Sequence, residues 1–218
     1  MKVSLPLLGR CLKEEGFVYK RMRKSCLHKR DETLFQFFKE ELTELHKLEE
    51  KGGLDVFYYD ETGISLSPVV PYGWQRKGET HRLSSLPSQN QTVVGFMNKA
   101  CKFYGFRFQG VANSETTIKC FDDFSNEIKK KTVVVLDNAS IHKSKKVMAC
   151  IPRWKEKGLF LQFIPAYSPE LNIIERLWEE LKYRWLNKPG YFATSDELKN
   201  AIDLIIEKIG TEYTINFA

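Results

Sequence analysis

Apolar residues at Leu34, Phe38, Leu42, Leu45 and Leu48 recur every three or four positions, so residues 32–50 are expected to form an amphipathic helix. Lys51-Gly52-Gly53 ends it. The pattern then changes to short apolar runs, expected as strands at 54–60, 63–69, 91–98 and 103–109, with a polar loop from Pro71 to Gln89 between the second and third. Residues 115–130 and 144–157 read as helices. Residues 132–137 are a continuous apolar run, as in a strand covered on both faces, and 159–164 are another strand. Pro165 and Pro169 bracket a turn, and a helix over 171–187 follows, broken by Pro189-Gly190. The last helix opens on Thr194-Ser195-Asp196-Glu197, a capping box, and runs to about Ile209. At the front, residues 5–15 suit a short helix stopped by Gly16, with an extended piece, Phe17-Val18-Tyr19, after it. Several strands followed by alternating strand–helix units predict an α/β class, a mixed sheet flanked by helices. In such a sheet, ligands bind at the carboxyl ends of the strands, where Asp60 and Asp137 fall.

The 218 residues, 42% hydrophobic and 28% charged, suffice for one substantial core and exclude disordered and collagen-like classes. The net charge of +6 is unevenly placed. Residues 1–30 hold nine Lys and Arg against two acids, leaving 25 of the 34 basic and 26 of the 28 acidic residues for the rest. The basic run Lys20-Arg21-Met22-Arg23-Lys24 suits a phosphate backbone, although a solvated lead-in explains the charge equally well. The five cysteines are scattered, with no Cys-x-x-Cys pair, which fits reduced thiols in a cytosolic protein better than a zinc ribbon. No apolar stretch approaches a membrane span, and Arg10 cuts short the faint resemblance of the first residues to a signal peptide.

Three acids are the candidates for chemistry. Asp60 completes the run Val56-Phe57-Tyr58-Tyr59, and Asp137 completes Val133-Val134-Val135-Leu136. Strand alternation puts Val56, Tyr58 and Asp60 on one face and Phe57, Tyr59 and Glu61 on the other, so only one of Asp60 and Glu61 faces a given site. Each aspartate has an ordinary explanation, Asp60 as a strand-end acid before the turn at Gly63 and Asp137 in an Asx turn with Asn138. Glu175 has no basic neighbour three or four residues away, while Arg176–Glu180 and Glu180–Arg184 look like surface pairs. It borders the apolar stripe of Leu171, Ile174, Trp178 and Leu181, so it needs a partner beyond its own helix or is a first-turn acid favoured by the helix dipole. Two strand-end aspartates and a helix glutamate are what two-metal phosphoryl transfer requires, hard oxygen ligands on rigid elements. The 37 residues between Asp137 and Glu175 leave room for a helix, a strand and a turn, returning the glutamate beside the second aspartate.

Three stretches carry a resemblance to a known family. They are Asp60-Glu61-Thr62-Gly63 with Tyr72-Gly73-Trp74-Gln75-Arg76-Lys77-Gly78, Leu136-Asp137-Asn138-Ala139-Ser140-Ile141-His142-Lys143, and Pro165-Ala166-Tyr167-Ser168-Pro169-Glu170-Leu171-Asn172-Ile173-Ile174-Glu175. From about Leu54 to about Tyr191 the chain resembles DDE transposases of the mariner superfamily, in particular their bacterial insertion-sequence relatives. Ile173 stands where many relatives have Pro.

The resemblance implies an RNase H-like, integrase-like catalytic core in which Asp60, Asp137 and Glu175 are catalytic and hold two Mg²⁺ or Mn²⁺ ions. DNA would be both substrate and target, acted on by a homodimer with no nucleotide cofactor. Trp74, Arg76, Lys77, Arg21, Arg23 and Lys24 are candidate DNA contacts. His142, Lys143, Lys145 and Lys146 are expected either to contact phosphate or to order the active-site loop. Trp154, Trp178 and Trp185 are assigned to the core. Residues 1–30 then read as a basic remnant of a helix-turn-helix region, 31–53 as a linker helix and 54–218 as the catalytic domain. A stand-alone RNase H-like nuclease and a non-catalytic DNA-binding or inhibitory fragment are the alternatives.

Overall fold

The computed structural model describes residues 4–17, 27–66, 91–186, 192 and 194–217. Five strands, β1 (Asp55–Ile64), β2 (Gln91–Met97), β3 (Phe103–Gln109), β4 (Thr132–Leu136) and β5 (Leu159–Phe163), form one sheet in the order β3-β2-β1-β4-β5. The first three pair antiparallel, whereas β1, β4 and β5 run parallel. Six α-helices occur among the described residues, α1 (Leu5–Glu14), α2 (Glu32–Glu50), α3 (Ser114–Glu127), α4 (Lys145–Glu156), α5 (Ile174–Glu180) and α6 (Ser195–Lys208), and α2 to α6 pack on the sheet.

The sheet is buried on both sides because alternate strand residues feed two separate cores. Val56, Tyr58, Val133 and Val135 meet α2, α5 and α6 through Leu42, Leu177 and Ile202. Phe57, Tyr59, Val134 and Leu136 meet α3 and α4 through Phe121, Phe124 and Trp154. All five residues of β4 are buried, the consequence of its unbroken aliphatic run. Arg107 of β3 donates bidentately to Asp203 of α6 (2.9 and 2.7 Å) and fastens the last helix to the sheet. Thr194 caps α6 by accepting from the Glu197 N–H.

Two features differ from the sequence expectation. The strands expected at 54–60 and 63–69 are a single strand through Gly63, because β2 pairs with it continuously from Tyr58↔Met97 to Ile64↔Gln91. The helix expected over 171–187 is divided into a 3₁₀ turn (Pro169–Leu171), α5 and a π-helical turn (Leu181–Trp185). Asn172 interrupts it with an extended backbone (φ −109°, ψ 97°). Helix α1 buries none of its residues, and the extended piece at 17–19 and the loop at 71–89 lie largely or wholly outside the described residues. The four described cysteines, Cys11, Cys101, Cys120 and Cys150, are free thiols. No described helix is long and apolar enough to cross a membrane.

Gly95 and Gly105 face each other across β2 and β3. A Cβ on Gly105 would sit 2.3 Å from the Val94 carbonyl oxygen and 2.9 Å from the Gly95 Cα, and main chain cannot step aside as a flexible side chain can. Gly105→Ala is therefore expected to cost about 1–3 kcal/mol, read as a lower midpoint in urea unfolding.

Candidate active site

The site begins with the register of two neighbouring parallel strands. The last β1–β4 pair is Tyr59↔Leu136, so Asp60, within β1, and Asp137, just past the end of β4, come next side by side. Side-chain alternation puts Asp60 on the face of Val56 and Tyr58, and Asp137 on that of Val133 and Val135. Both carboxylates thus look toward α5, while Glu61 follows Tyr59 to the opposite face.

The interruption at Asn172 brings α5 over them. Its side-chain amide donates to the Tyr59 carbonyl (3.2 Å), pinning the approach to α5 above the point where β1 parts from β4. The Asn172 carbonyl then accepts from the Glu175 N–H (3.2 Å). One turn on, the Trp178 indole N–H donates to Asp60 Oδ2 (2.9 Å). Trp178 is 3% exposed, so it fills the core as expected and orients Asp60 as well. Asp137, Asn138, Ala139, Tyr167, Asn172 and Glu175 line an open cleft of about 250 Å³. The Asn172 Oδ1 atom is buried without a hydrogen-bond partner.

Asp137 Oδ1 accepts from the Ala139 N–H (3.0 Å) and from His142 Nδ1–H (2.7 Å). The other ring nitrogen, Nε2–H, donates to both Glu61 oxygens (3.0 and 3.2 Å), and the Tyr59 hydroxyl donates to Glu61 Oε1 (2.8 Å). His142 is 1% exposed. Of the two roles the sequence leaves open for it, phosphate contact or loop ordering, that burial agrees with the second. The lysines after it lie on the exterior. Lys143 sits over the Phe163 ring (5.3 Å), Lys145 is exposed at the start of α4, and Lys146 pairs with Glu115 of α3 (2.7 Å). Trp74, Arg76, Lys77, Arg21, Arg23 and Lys24 lie outside the described residues.

The electrostatics set two of the three acids apart from the third. Burial, then the charges of Glu175, Glu61 and Asp137, push Asp60 up to about 7. Burial also raises Glu175; Lys182 opposes the shift, while Asp137 and Glu179 add to it. For Asp137 burial works the same way, but hydrogen bonds from His142 and Ala139 outweigh it and hold the carboxyl below its usual range. Burial works against the charge on His142, yet its bonds to Asp137 and Glu61 prevail and raise it to about 10. Lys182 lies on the π-helical turn, its pKa lowered by burial against the attraction of Glu175 and Asp60. Lys182 and Asn172 are the site residues that sequence reasoning passed over, whereas it weighed Glu61 against Asp60 and assigned Trp178 to the core. Lys182 is seven residues past Glu175, two turns along the same helical path, and a search at three and four residues does not reach it.

Among the described residues, no group of three His, Cys, Asp or Glu is gathered closely enough to hold a metal ion on its own. The donor chemistry nonetheless suits a hard cation. The two donors to Asp137 both engage Oδ1, Asp60 and Glu175 add two further carboxylates, and the charge repulsion that raises Asp60 is what a bound cation relieves.

This repulsion has a measurable sign. An acid whose folded pKa exceeds its unfolded value stabilises the fold while protonated and loses that contribution as pH rises through the folded value. In EDTA, the advantage of Asp60→Asn over the wild-type chain in unfolding free energy should grow between pH 4 and 7, by at most about 4 kcal/mol. A flat difference across that range would show that Asp60 is not under strain.

Comparison with known proteins agrees with this geometry. The insertion element IS630 uncharacterized 39 kDa protein of Shigella sonnei is 28% identical over 151 residues, 65% of this chain and 42% of that protein. The Mos1 transposase in its paired-end complex with the left transposon end is 17% identical, with a TM-score of 0.64 over 94% of this chain and 63% of that one. The catalytic domain of Mos1 mariner transposase is 12% identical, with a TM-score of 0.52 over 88% of this chain and 85% of that one. At these identities the structural likeness is one of fold, the RNase H-like architecture expected from the motifs. The chain spans less than two thirds of the Shigella protein and of the Mos1 chain in the paired-end complex. A family described as DDE superfamily endonuclease matches residues 55–199, which run from the start of β1 into α6 and take in Asp60, Asp137 and Glu175; the chain belongs to that family.

Proposed function

We propose that this chain is the catalytic core of a cut-and-paste transposase, which nicks DNA at the ends of an insertion sequence and joins the freed 3′-hydroxyls to target DNA. One observation carries the reading. Asp60 and Asp137 are neighbours on adjacent parallel strands, and Glu175 on the helix above them lies close enough that its charge and that of Asp137 help to raise the Asp60 pKa. Such a set, in a chain of this family, calls for divalent cations, and Mos1 paired-end complexes have been solved with Mg and with Mn.

Bound there, Mg²⁺ or Mn²⁺, two ions in the fullest form of the proposal, supplies Lewis-acid polarisation of the phosphate and a water of lowered pKa. Asp60, Asp137 and Glu175 hold the charge, and Trp178 and the Asp137 loop orient the two aspartates. Lys182 lends positive charge beside Glu175 and Asp60. Exposed Lys143 and Lys145 meet the DNA backbone, joined by Trp74, Arg76, Lys77, Arg21, Arg23 and Lys24. The chain acts as a homodimer on cytoplasmic DNA, with residues 1–30 as the basic lead-in to the catalytic domain.

The test uses duplexes bearing the inverted repeats that flank the gene. The proposal expects nicking at the repeat ends with Mg²⁺ or Mn²⁺, and joining of pre-cleaved 3′-hydroxyl ends to a plasmid. Cleavage of RNA–DNA hybrids without joining would replace it with a stand-alone nuclease. DNA binding without cleavage would leave a non-catalytic fragment.

A further inference from the structure

Glu61 and His142 join onto Asp137 by hydrogen bonds and are not among the groups that face α5. Glu61 follows the strand alternation to the opposite side of the sheet from Asp60, and its side chain is 14% exposed. His142 spans the end of the sheet between the two faces, with Nδ1 on Asp137 and Nε2 on Glu61. Tyr59, buried between Phe96 and Phe121, donates its hydroxyl to Glu61 and sets its ring edge-on to His142 at 5.5 Å. The order Tyr59–Glu61–His142–Asp137 thus runs from the core outward.

We propose that Glu61 and His142 are positioning residues, a clamp that fixes which oxygen Asp137 presents to a cation. Oδ1 is held by two donors, the His142 ring and the Ala139 N–H, so Oδ2 is the oxygen left for a ligand. An imidazole held at one nitrogen can still swing about that bond. Glu61 removes the freedom by binding the second nitrogen through both of its oxygens, and Tyr59 anchors Glu61 in turn. Partners of this kind behind a ligating carboxylate tune affinity without touching the metal. The inference rests on the reading of Asp137 as a metal ligand.

The test is calorimetric titration of Mn²⁺ into the full chain, with unfolding midpoints recorded for every variant and the kinetics of repeat-end nicking measured in parallel. Because His142→Ala would strand two carboxylates, the variants are His142→Gln, Glu61→Ala and Glu61→Gln. Glu61→Ala and His142→Gln are expected to weaken Mn²⁺ binding roughly 10–100-fold. They should lower kcat and leave the KM for DNA within twofold. Glu61→Gln, whose amide oxygen still accepts from Nε2, should recover most of the binding. In the double variant Glu61→Ala/His142→Gln, the two losses should not add, since each breaks the same clamp.

The clamp is overturned if folded Glu61→Ala and His142→Gln bind Mn²⁺ within twofold of the wild-type chain while Asp137→Asn does not. If Asp137→Asn also leaves binding unchanged, the metal-ligand reading of Asp137 fails, and the clamp fails with it.

Discussion

Asp137→Asn is expected to abolish metal-dependent nicking at the element ends, with a loss of roughly 10³-fold or more, at or above the upper end for removal of one preorganised electrostatic group. The local hydrogen bonds explain why so conservative a change is so damaging. The Ala139 N–H and the His142 ring N–H both point at Oδ1. An asparagine must place its carbonyl there, because its amide N–H₂ would face two donors. The N–H₂ then occupies the position of Oδ2, and a donor stands where a cation requires an acceptor. Replacement therefore does more than remove the charge, because it turns the free corner of the ligand the wrong way. The check is single-turnover cleavage of a repeat-end duplex in Mg²⁺ and Mn²⁺, with circular dichroism to confirm the fold. Retention of more than a tenth of the wild-type rate would remove Asp137 from the chemistry.

The largest expected effect on stability comes from Trp154→Ala. Trp154 is fully buried on α4 and packs its ring 5.0 Å from that of Phe121 on α3. Its indole N–H donates to Asp122 Oδ1 (2.8 Å), which the neighbouring Arg153 also grips at 2.7 Å. Truncation empties the centre of the α3–α4 layer and removes one of the ties between the two helices. The expected cost is about 3–5 kcal/mol, out of a total near 5–15 kcal/mol for a folded domain. Trp154→Phe keeps most of the volume and loses the hydrogen bond, so about 1 kcal/mol is expected, together with a smaller packing loss. Urea unfolding separates the cases through midpoint shifts at unchanged slope. Equal costs for Ala and Phe would mean that the hydrogen bond, not the filled volume, holds the layer together.

The two faces of the sheet divide the labour. The α3–α4 face is packed mainly with apolar and aromatic side chains, with Glu61 and the buried His142 at its carboxyl strand ends. The α5 face carries Asp60, Asp137 and Glu175 beside a cleft. A substitution among the packed aromatics of the first face therefore acts on stability, and one at the three acids of the second acts on charge. The pH dependence expected of Asp60→Asn, with the cost of Gly105→Ala, tests this division from opposite sides. The first removes strain at the site, whereas the second disturbs a sheet edge that carries no candidate site residue.

Much of this protein was legible without coordinates, and the reason is local. Helix α2 was fixed by an apolar stripe with a Gly-Gly stop, β3 by a short apolar run, and β4 by unbroken aliphatics that only a strand covered on both faces can bury. The three carboxylates stood out because two of them end apolar runs and the third lacks a basic neighbour on its own helix. None of these signals needs knowledge of what lies across the sheet. Tertiary structure decided the rest. The register of β1 on β4 set Asp60 beside Asp137, and the pairing of β2 carried β1 past Gly63 as one strand. Glu61 received His142, Asp60 received the Trp178 indole, and Lys182 arrived through a π-helical turn that no periodic pattern announces. These are contacts between residues up to 118 positions apart. A side chain's own neighbours in sequence determine whether it lies on a strand or a helix, but only the chain folded back on itself determines which donor reaches which carboxylate oxygen.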